Sequence, residues 1–109
     1  MPRIIAVDFD GTLCEDRWPE IGRANEPVLS RLRRAKTLGR AKIILWTCRA
    51  GKELTEAVEW CAARGIIFDA VNENLPEIRE TFGKDTRKIY ADEYWDDRAR
   101  HISFEEVVK

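Results

Sequence analysis

Two aspartates that follow a short apolar run are the residues of this chain best suited to chemistry. Residues 4–7 are apolar, and Asp8, Asp10 and a Gly-Thr turn follow them. Such a run, ended by a turn, is typical of a strand buried on both faces of a parallel sheet, whose ligand crevice lies beyond the carboxyl ends of the strands. Alternate residues of an extended chain point to one side, so the two carboxylates would repel each other unless a cation or a shared proton compensates. The alternative is an Asp-rich turn that caps the next element, but such a turn needs one aspartate and no buried strand before it.

Polar side chains also follow directly after two later predicted strands. The second strand, residues 42–47, is apolar from Ile43 until the hydroxyl of Thr47, and a strand within residues 89–95 continues into Asp96 and Asp97. Carboxylates, a hydroxyl and a divalent cation are the groups that phosphoryl transfer uses, and Mg²⁺ prefers one or two carboxylates together with a substrate phosphate. The alternatives are that Thr47 begins an ordinary turn and that the acidic pair is a solvated turn.

Helical periodicity fills most of the segments between the strands. Asn25 is a plausible N-cap for the first helix, which Gly39 ends. A third strand is predicted over residues 66–71, and Ser103 opens a capping box for a closing helical turn. Strands that alternate with helices predict right-handed crossovers and a three-layer α/β sandwich with a mostly parallel sheet of about four strands. The predicted helices cover residues 28–38, 54–61 and 76–82.

Length and composition predict one folded domain, residues 1–109, and exclude several classes. Hydrophobic residues make up 44% of the chain and charged residues 36%, as in a soluble globular protein. The formal net charge of −1 gives no general attraction to nucleic acid or a membrane, and no apolar run approaches the roughly 20 residues of a membrane span. The three cysteines, Cys14, Cys48 and Cys61, are odd in number and lack metal-ligand spacing. This favours reduced thiols and a cytoplasmic location.

The Asp-x-Asp-Gly-Thr sequence of residues 8–12, directly after the first strand, resembles the first signature of the haloacid-dehalogenase (HAD) superfamily of phosphoryl-transfer enzymes. The resemblance implies that Asp8 is the nucleophile that accepts the phosphoryl group and that Asp10 is the general acid and base. It also implies that the fourth strand lies beside the first, in the order fourth, first, second, third. Dehalogenase members lack the second aspartate, so Asp10 argues against carbon–halogen chemistry.

Three further signatures follow from the same resemblance. Thr47 would supply the hydroxyl that hydrogen-bonds the phosphoryl oxygen, and Lys88, preferred to Lys84, would steady its charge. Asp96 and Asp97 resemble the acidic pair of the metal site, although Asp92 offers an alternative spacing, so the ligand among these three stays open. The implied Mg²⁺ ligands are Asp8, Asp10, Asp96 and Asp97.

The segment between Asp10 and the second strand has no room for an inserted cap domain. Capless members of the superfamily resemble this chain in size. They act on exposed or large phosphorylated substrates, or they use a neighbouring subunit as a lid. In this protein, such a lid would come from a second copy of the chain in a homo-oligomer. An irregular loop over residues 14–26 is predicted to lie over the crevice. Arg49 is predicted either to bind the phosphate or the leaving group or to form a surface ion pair. The predicted substrate contacts are Trp18, Arg23, Arg49 and Asn72.

The sequence therefore predicts a Mg²⁺-dependent phosphohydrolase that acts through an aspartyl phosphate. Its substrate would be a phosphate monoester or a 5′- or 3′-phosphorylated nucleotide, although the net charge does not indicate a nucleic-acid end. A catalytically idle or regulatory module that binds phosphate and Mg²⁺ on the same fold is the alternative. A receiver-type signalling module fits less well, because its phosphorylated aspartate ends a later strand.

Overall fold

The order of the helices and strands follows the alternating pattern of the sequence. The computed structural model describes residues 2–104. Within them the elements are β1 (Arg3–Val7), β2 (Cys14–Arg17), β3 (Glu20–Ala24), α1 (Glu26–Thr37), β4 (Ala41–Leu45), α2 (Gly51–Ala63), β5 (Ala70–Val71), α3 (Pro76–Phe82) and β6 (Glu93–Trp95). The predicted closing helical turn begins at Ser103 and lies largely outside the described residues. Among the described residues, no helix is long and apolar enough to cross a membrane.

Strand β1 lies inside a four-stranded parallel sheet whose hydrogen-bonded order is β5-β4-β1-β6. It pairs with β4 along its whole length, from Arg3 opposite Ala41 to Val7 opposite Leu45. On its other edge, Val7 lies opposite Trp95 of β6. The α/β class and the mostly parallel four-stranded sheet are therefore confirmed, and residues that follow β1 lie between the ends of two neighbouring strands.

Side chains of β1 are buried on both faces of the sheet, which explains its uninterrupted apolar sequence. Ile5 and Val7 belong to a core cluster that includes Leu29 and Leu32 of α1 and Ala57 and Cys61 of α2. Ile4 and Ala6 belong to a second cluster, against which Ile78 of α3 packs. Helices therefore cover both faces, and the sheet is the middle of three layers.

Asn25 occupies the predicted N-cap position of α1, but its side chain makes no capping hydrogen bond. Its Nδ2 instead donates to the carbonyl oxygen of Thr12 at 2.9 Å. The helix is held by the complete burial of Leu29 and Leu32, each contributing about 1.5–3 kcal/mol, more than the roughly 1 kcal/mol typical of a cap. Asn25 thus fastens the turn after β1 to the start of α1.

An irregular loop was predicted over residues 14–26, but β2 and β3 form an antiparallel hairpin there, and the segment ends in the first residue of α1. The hairpin escaped prediction because most of its side chains are exposed, so no hydrophobic alternation marks its two strands. Gly22 permits the close pairing, since a Cβ at this position would lie 2.5 Å from the carbonyl oxygen of Glu15. The hairpin lies next to the carboxyl end of β1 and supplies one side of the site described below.

β5 is shorter than the strand predicted over residues 66–71, whereas β6 lies within the predicted range 89–95, and a polar side chain replaces strand pairing just before each of them. Asp69 Oδ2 accepts a hydrogen bond from the amide of Ile43 at 2.8 Å, just before β5 begins. Asp92 Oδ2 accepts one from the amide of Ile4 at 2.7 Å, just before β6 begins. The segment that leads to β6 is organised by Asn74, which is fully buried and whose Oδ1 accepts from the amide of Tyr90.

Candidate functional site

An open cleft of about 350 Å³ lies at the carboxyl end of the parallel sheet. It is formed where β1, β4 and β6 end side by side. The amide of Asp8 donates to the Trp95 carbonyl at 2.9 Å, and the amide of Trp46 donates to the Val7 carbonyl at the same distance. The topology therefore brings together most of the residues predicted to do chemistry. The predicted residues that line the cleft are Asp8, Asp10, Trp18, Thr47, Arg49, Asp96 and Asp97.

Asp8, Asp96 and Asp97 form an acidic cluster in this cleft. One carboxylate oxygen from each lies within 4.8 Å of the others. Partial burial, followed in importance by the charge of Asp96, raises the pKa of Asp8 from 3.8 to about 6. Three oxygen ligands of this kind suit a hard divalent cation, whose charge would relieve the repulsion. The carboxylate of Asp10, predicted as a fourth ligand, is not part of this cluster.

Thr12 and Gly11 hold the acidic cluster together. The Thr12 hydroxyl donates to Asp8 Oδ2 at 3.3 Å and accepts a hydrogen bond from the amide of Asp97 at 3.1 Å. Gly11 has a φ of +87°, and a Cβ on it would lie 2.3 Å from Asp97 Oδ2. Neither residue was singled out from the sequence as part of the site, although both belong to the Asp-x-Asp-Gly-Thr sequence.

Arg49 is buried, with 2% of its surface exposed, and it binds Asp10 through two parallel hydrogen bonds. Its Nε donates to Oδ2 at 2.8 Å and its Nη2 donates to Oδ1 at 2.7 Å. The hydrogen bond to Asp10 raises the pKa of Arg49, so its guanidinium group stays charged. Arg49 was predicted to bind substrate or to form a surface ion pair, and it forms an ion pair with Asp10 at the wall of the cleft, where the arginine side chain is buried and Asp10 is partly exposed.

The guanidinium group of Arg49 also fastens the hairpin to the end of β1. It lies between two aromatic rings, with Cζ 4.9 Å from the ring centre of Phe9 and 5.1 Å from that of Trp18. Its Nη2 donates to the carbonyl oxygen of Glu20 at 3.0 Å, and its Nη1 donates to that of Pro19 at 3.3 Å. The hairpin is therefore held in place by Arg49, a side chain about 30 residues later in the sequence.

Thr47 is positioned by Asn72, which was predicted to contact substrate. Asn72 Oδ1 accepts a hydrogen bond from the amide of Thr47 at 2.8 Å, and Asn72 adopts a left-handed φ of 54°. The Thr47 hydroxyl oxygen accepts from the amide of Arg49 at 3.1 Å, so the hydroxyl retains its own hydrogen as a donor. Asn72 therefore supports a cleft residue and does not itself line the cleft.

Three further predicted residues lie away from the acidic cleft. Arg23 pairs with Glu15 at 3.4 Å and borders a separate groove along the hairpin. Lys88 lies on an adjoining groove, and its alternative, Lys84, is exposed on the segment after α3. Within residues 2–104, the basic side chains that line the cleft are Arg49 and Arg98, so the expected lysine is not among them.

Asp92 and Asp96 are separated by the length of β6. Asp92 exchanges hydrogen bonds with the backbone of Ile4 near the amino end of β1, whereas Asp96 lies beside Asp8 at the carboxyl end. Asp96 also accepts a hydrogen bond from the amide of Arg98 at 2.8 Å. The geometry therefore groups Asp96 and Asp97, rather than Asp92, with Asp8.

Comparison with known proteins gives one informative similarity. No protein-family model matches the chain, and no curated protein matches it. The solved structure of a conserved protein from Bacteroides thetaiotaomicron is similar, with 38% sequence identity and a TM-score of 0.79. The similarity covers 99% of this chain and 87% of that one. The two proteins belong to one family. That relative is described as conserved, and the description names no activity that could be carried over.

The raised pKa of Asp8 predicts that Asp8→Asn stabilises the protein at neutral pH when divalent cations are removed. The folded state binds the proton of Asp8 more tightly than the unfolded state, so the ionised carboxylate costs stability in full above about pH 6. That cost falls as the pH drops towards 3.8, where the unfolded chain also becomes protonated. Thermal unfolding in EDTA should show a higher Tm for Asp8→Asn at about pH 7.5 and a difference that shrinks towards about pH 4.

Asp16→Asn is the control, because Asp16 lies on the same cleft outside the acidic cluster. Its Tm should follow that of the wild type at both pH values. A Tm for Asp8→Asn at or below the wild-type value at neutral pH would contradict the repulsion argument.

The close approach of Gly11 to Asp97 predicts a larger loss of stability for Gly11→Ala than for Gly39→Ala. Both glycines have positive φ, and placing alanine there costs about 1–2 kcal/mol of backbone strain. A Cβ at Gly39 has no atom within 4 Å, whereas a Cβ at Gly11 would overlap the Asp97 carboxylate. Urea denaturation should therefore give a lower free energy of unfolding for Gly11→Ala. Equal losses in the two variants would mean that the Asp97 segment moves aside freely.

Proposed function

We propose that this protein is a Mg²⁺-dependent phosphohydrolase of the HAD type, which acts through an aspartyl phosphate on a phosphorylated substrate. The observation that carries the proposal is the acidic cluster, with carboxylate oxygens of Asp8, Asp96 and Asp97 within 4.8 Å of one another at the end of the central strand. A repulsive cluster of this kind is expected where a cation and an anionic substrate are bound together. The Asp-x-Asp-Gly-Thr sequence supports the same reaction.

The acidic cluster is the proposed cation site. When bound there, Mg²⁺ would neutralise charge on the phosphoryl oxygens and on the nucleophilic carboxylate. Asp96 and Asp97 approach Asp8 from the loop after β6, and the Thr12 hydroxyl bridges Asp8 to that loop. Thr12 therefore holds the nucleophile and the cation ligands in a fixed relative position.

In the proposed reaction, a carboxylate oxygen of Asp8 attacks the phosphorus atom in line with the leaving oxygen. The new bond joins Asp8 to phosphorus, the ester P–O bond breaks, and Asp10 gives a proton to the leaving oxygen. Water then attacks the aspartyl phosphate and gives its proton to Asp10, which releases phosphate and restores Asp8. Each oxygen of Asp10 has a second lone pair, so it can exchange this proton while Arg49 remains bound.

Thr47 and the basic side chains complete the proposed site. The Thr47 hydroxyl, whose oxygen already accepts from the Arg49 amide, can donate to a phosphoryl oxygen. Positive charge near the phosphoryl group would come from Arg98, which lines the cleft, or from Lys88 on the adjoining groove. Arg49 does not take this role, because its guanidinium group is directed at Asp10 and the hairpin.

A catalytically idle module that binds Mg²⁺ and phosphate is the second candidate function. The observation that favours it is the paired hydrogen bonding of Asp10 to Arg49, which occupies both carboxylate oxygens. The two candidates differ in one measurable property, since an idle module binds phosphate but forms no covalent aspartyl phosphate.

Asp8→Asn is expected to abolish turnover of p-nitrophenyl phosphate in Mg²⁺, by about 1,000-fold or more, equivalent to about 4 kcal/mol. The amide has nearly the same shape but is a poor nucleophile.

Acid-quenched reactions with ³²P-labelled substrate should trap label on Asp10→Asn, which forms the intermediate and hydrolyses it slowly. Asp16→Asn should keep wild-type turnover. Retained hydrolysis by Asp8→Asn would exclude the covalent mechanism, and an inactive wild type that still binds phosphate would establish the idle module.

Mg²⁺ is expected to raise the Tm of the wild type in the absence of substrate. A ligand at 100 times its Kd stabilises a protein by about 2.7 kcal/mol, which a thermal scan resolves. The double variant Asp96→Asn/Asp97→Asn should lose this Mg²⁺-dependent shift, whereas Asp92→Asn should keep it. Loss of the shift in Asp92→Asn alone would move the cation site to the other end of β6.

A further inference from the structure

Trp18 is a large exposed side chain at the mouth of the acidic cleft. Its ring lines the cleft with Asp8 and Asp10, and the residue is 56% exposed. Single exposed hydrophobic residues are common on protein surfaces, so exposure alone assigns no role. What distinguishes Trp18 is the way in which the protein holds the ring in place.

The ring of Trp18 is supported from one side by the buried guanidinium group of Arg49. The Cζ of Arg49 lies 5.1 Å from the ring centre, within the range of a cation–π contact. The same guanidinium group binds the carbonyl oxygens of Pro19 and Glu20, the two residues that follow Trp18. The backbone on which the ring sits is therefore fixed, so the ring loses little conformational entropy when a ligand packs on it.

One guanidinium group, that of Arg49, contacts both the Trp18 ring and the Asp10 carboxylate. In the proposed reaction, which this inference assumes, Asp10 protonates the leaving oxygen of a phosphoryl group attached to Asp8. The leaving group then lies beside Asp10 in the cleft that the exposed Trp18 also lines. A flat ring in that position can stack on a flat leaving group.

We infer that Trp18 is a stacking platform for a planar aromatic leaving group, and that the preferred substrates are phosphate monoesters that carry such a group. Aryl phosphates and nucleotides share this chemistry. Offset aromatic stacking adds about three- to ten-fold in affinity beyond the contribution of buried area. The effect is on binding of the leaving group, and the nucleophile and cation site are not involved in it.

Two matched pairs of ligands test the inference by isothermal titration calorimetry in Mg²⁺. Benzylphosphonate and cyclohexylmethylphosphonate are not hydrolysed and have six-membered rings of similar size, but only the first ring is aromatic. Adenosine 5′-monophosphate and ribose 5-phosphate, measured with Asp8→Asn, differ by the base. The aromatic member of the first pair should bind about three- to ten-fold more tightly. A preference in the second pair as well indicates nucleotides, and a preference in the first pair alone indicates small aryl esters.

Variants of the two exposed tryptophans locate the effect. Trp18→Ala should remove the aromatic preference, and Trp18→Phe should keep most of it, because the flat ring is retained. Trp46→Ala is the control, since Trp46 is also exposed but lies on the adjoining groove. It should leave the preference unchanged.

The outcomes separate this inference from the proposed function. Equal binding of benzylphosphonate and cyclohexylmethylphosphonate by a wild type that hydrolyses phosphate esters, together with equal binding of the second pair by Asp8→Asn, would overturn the platform and leave the phosphohydrolase in place. A preference that survives Trp18→Ala would also overturn it. A wild type that neither hydrolyses phosphate esters nor binds any of these ligands in Mg²⁺ would refute both.

Discussion

Repulsion between three carboxylates at the end of the central strand is the constraint on which the rest of the site depends. The chain brings Asp8 together with Asp96 and Asp97 in a position where burial, and after it the charge of Asp96, raises the pKa of Asp8 to about 6. The approach is possible because Gly11 has no side chain and because Thr12 bonds both sides of the cluster. Binding sites often lower the free energy of unfolding of the free protein, and ligand binding then raises it.

The cleft contains carboxylates in two opposite electrostatic situations. The negative charge of Asp10 is neutralised by the buried Arg49, which binds both of its carboxylate oxygens. Among residues 2–104, no lysine or arginine side chain forms an ion pair with the three carboxylates of the acidic cluster, and Arg98 contacts Asp96 through its backbone amide. One aspartate is thus fixed in direction by an arginine, while the other three lie close together without such a partner in the described part of the chain. This division of roles suits a reaction that needs both a positioned acid–base group and a cation.

Local sequence pattern predicted the parts of the fold that local physics determines. The apolar run before Asp8 indicated a buried parallel strand, and Pro76 marked the start of α3, because burial and backbone geometry act over a few residues. The hairpin and the buried position of Arg49 were missed. Arg49 is placed by Asp10, Pro19 and Glu20, which lie 29–39 residues earlier, and its exposed partner strands carry no hydrophobic signal. Asn72, predicted to contact substrate, instead supports Thr47, since residue type alone does not tell whether a polar side chain supports a cleft or lines it.

The two outer strands of the sheet are short, with two residues in β5 and three in β6. A strand at the edge of a sheet exposes unpaired backbone groups, and a long one can recruit a strand from another molecule. Here each free edge offers too few backbone donors and acceptors for continuous pairing between copies. The shortness of β5 and β6 therefore limits aggregation through the two edges of this sheet.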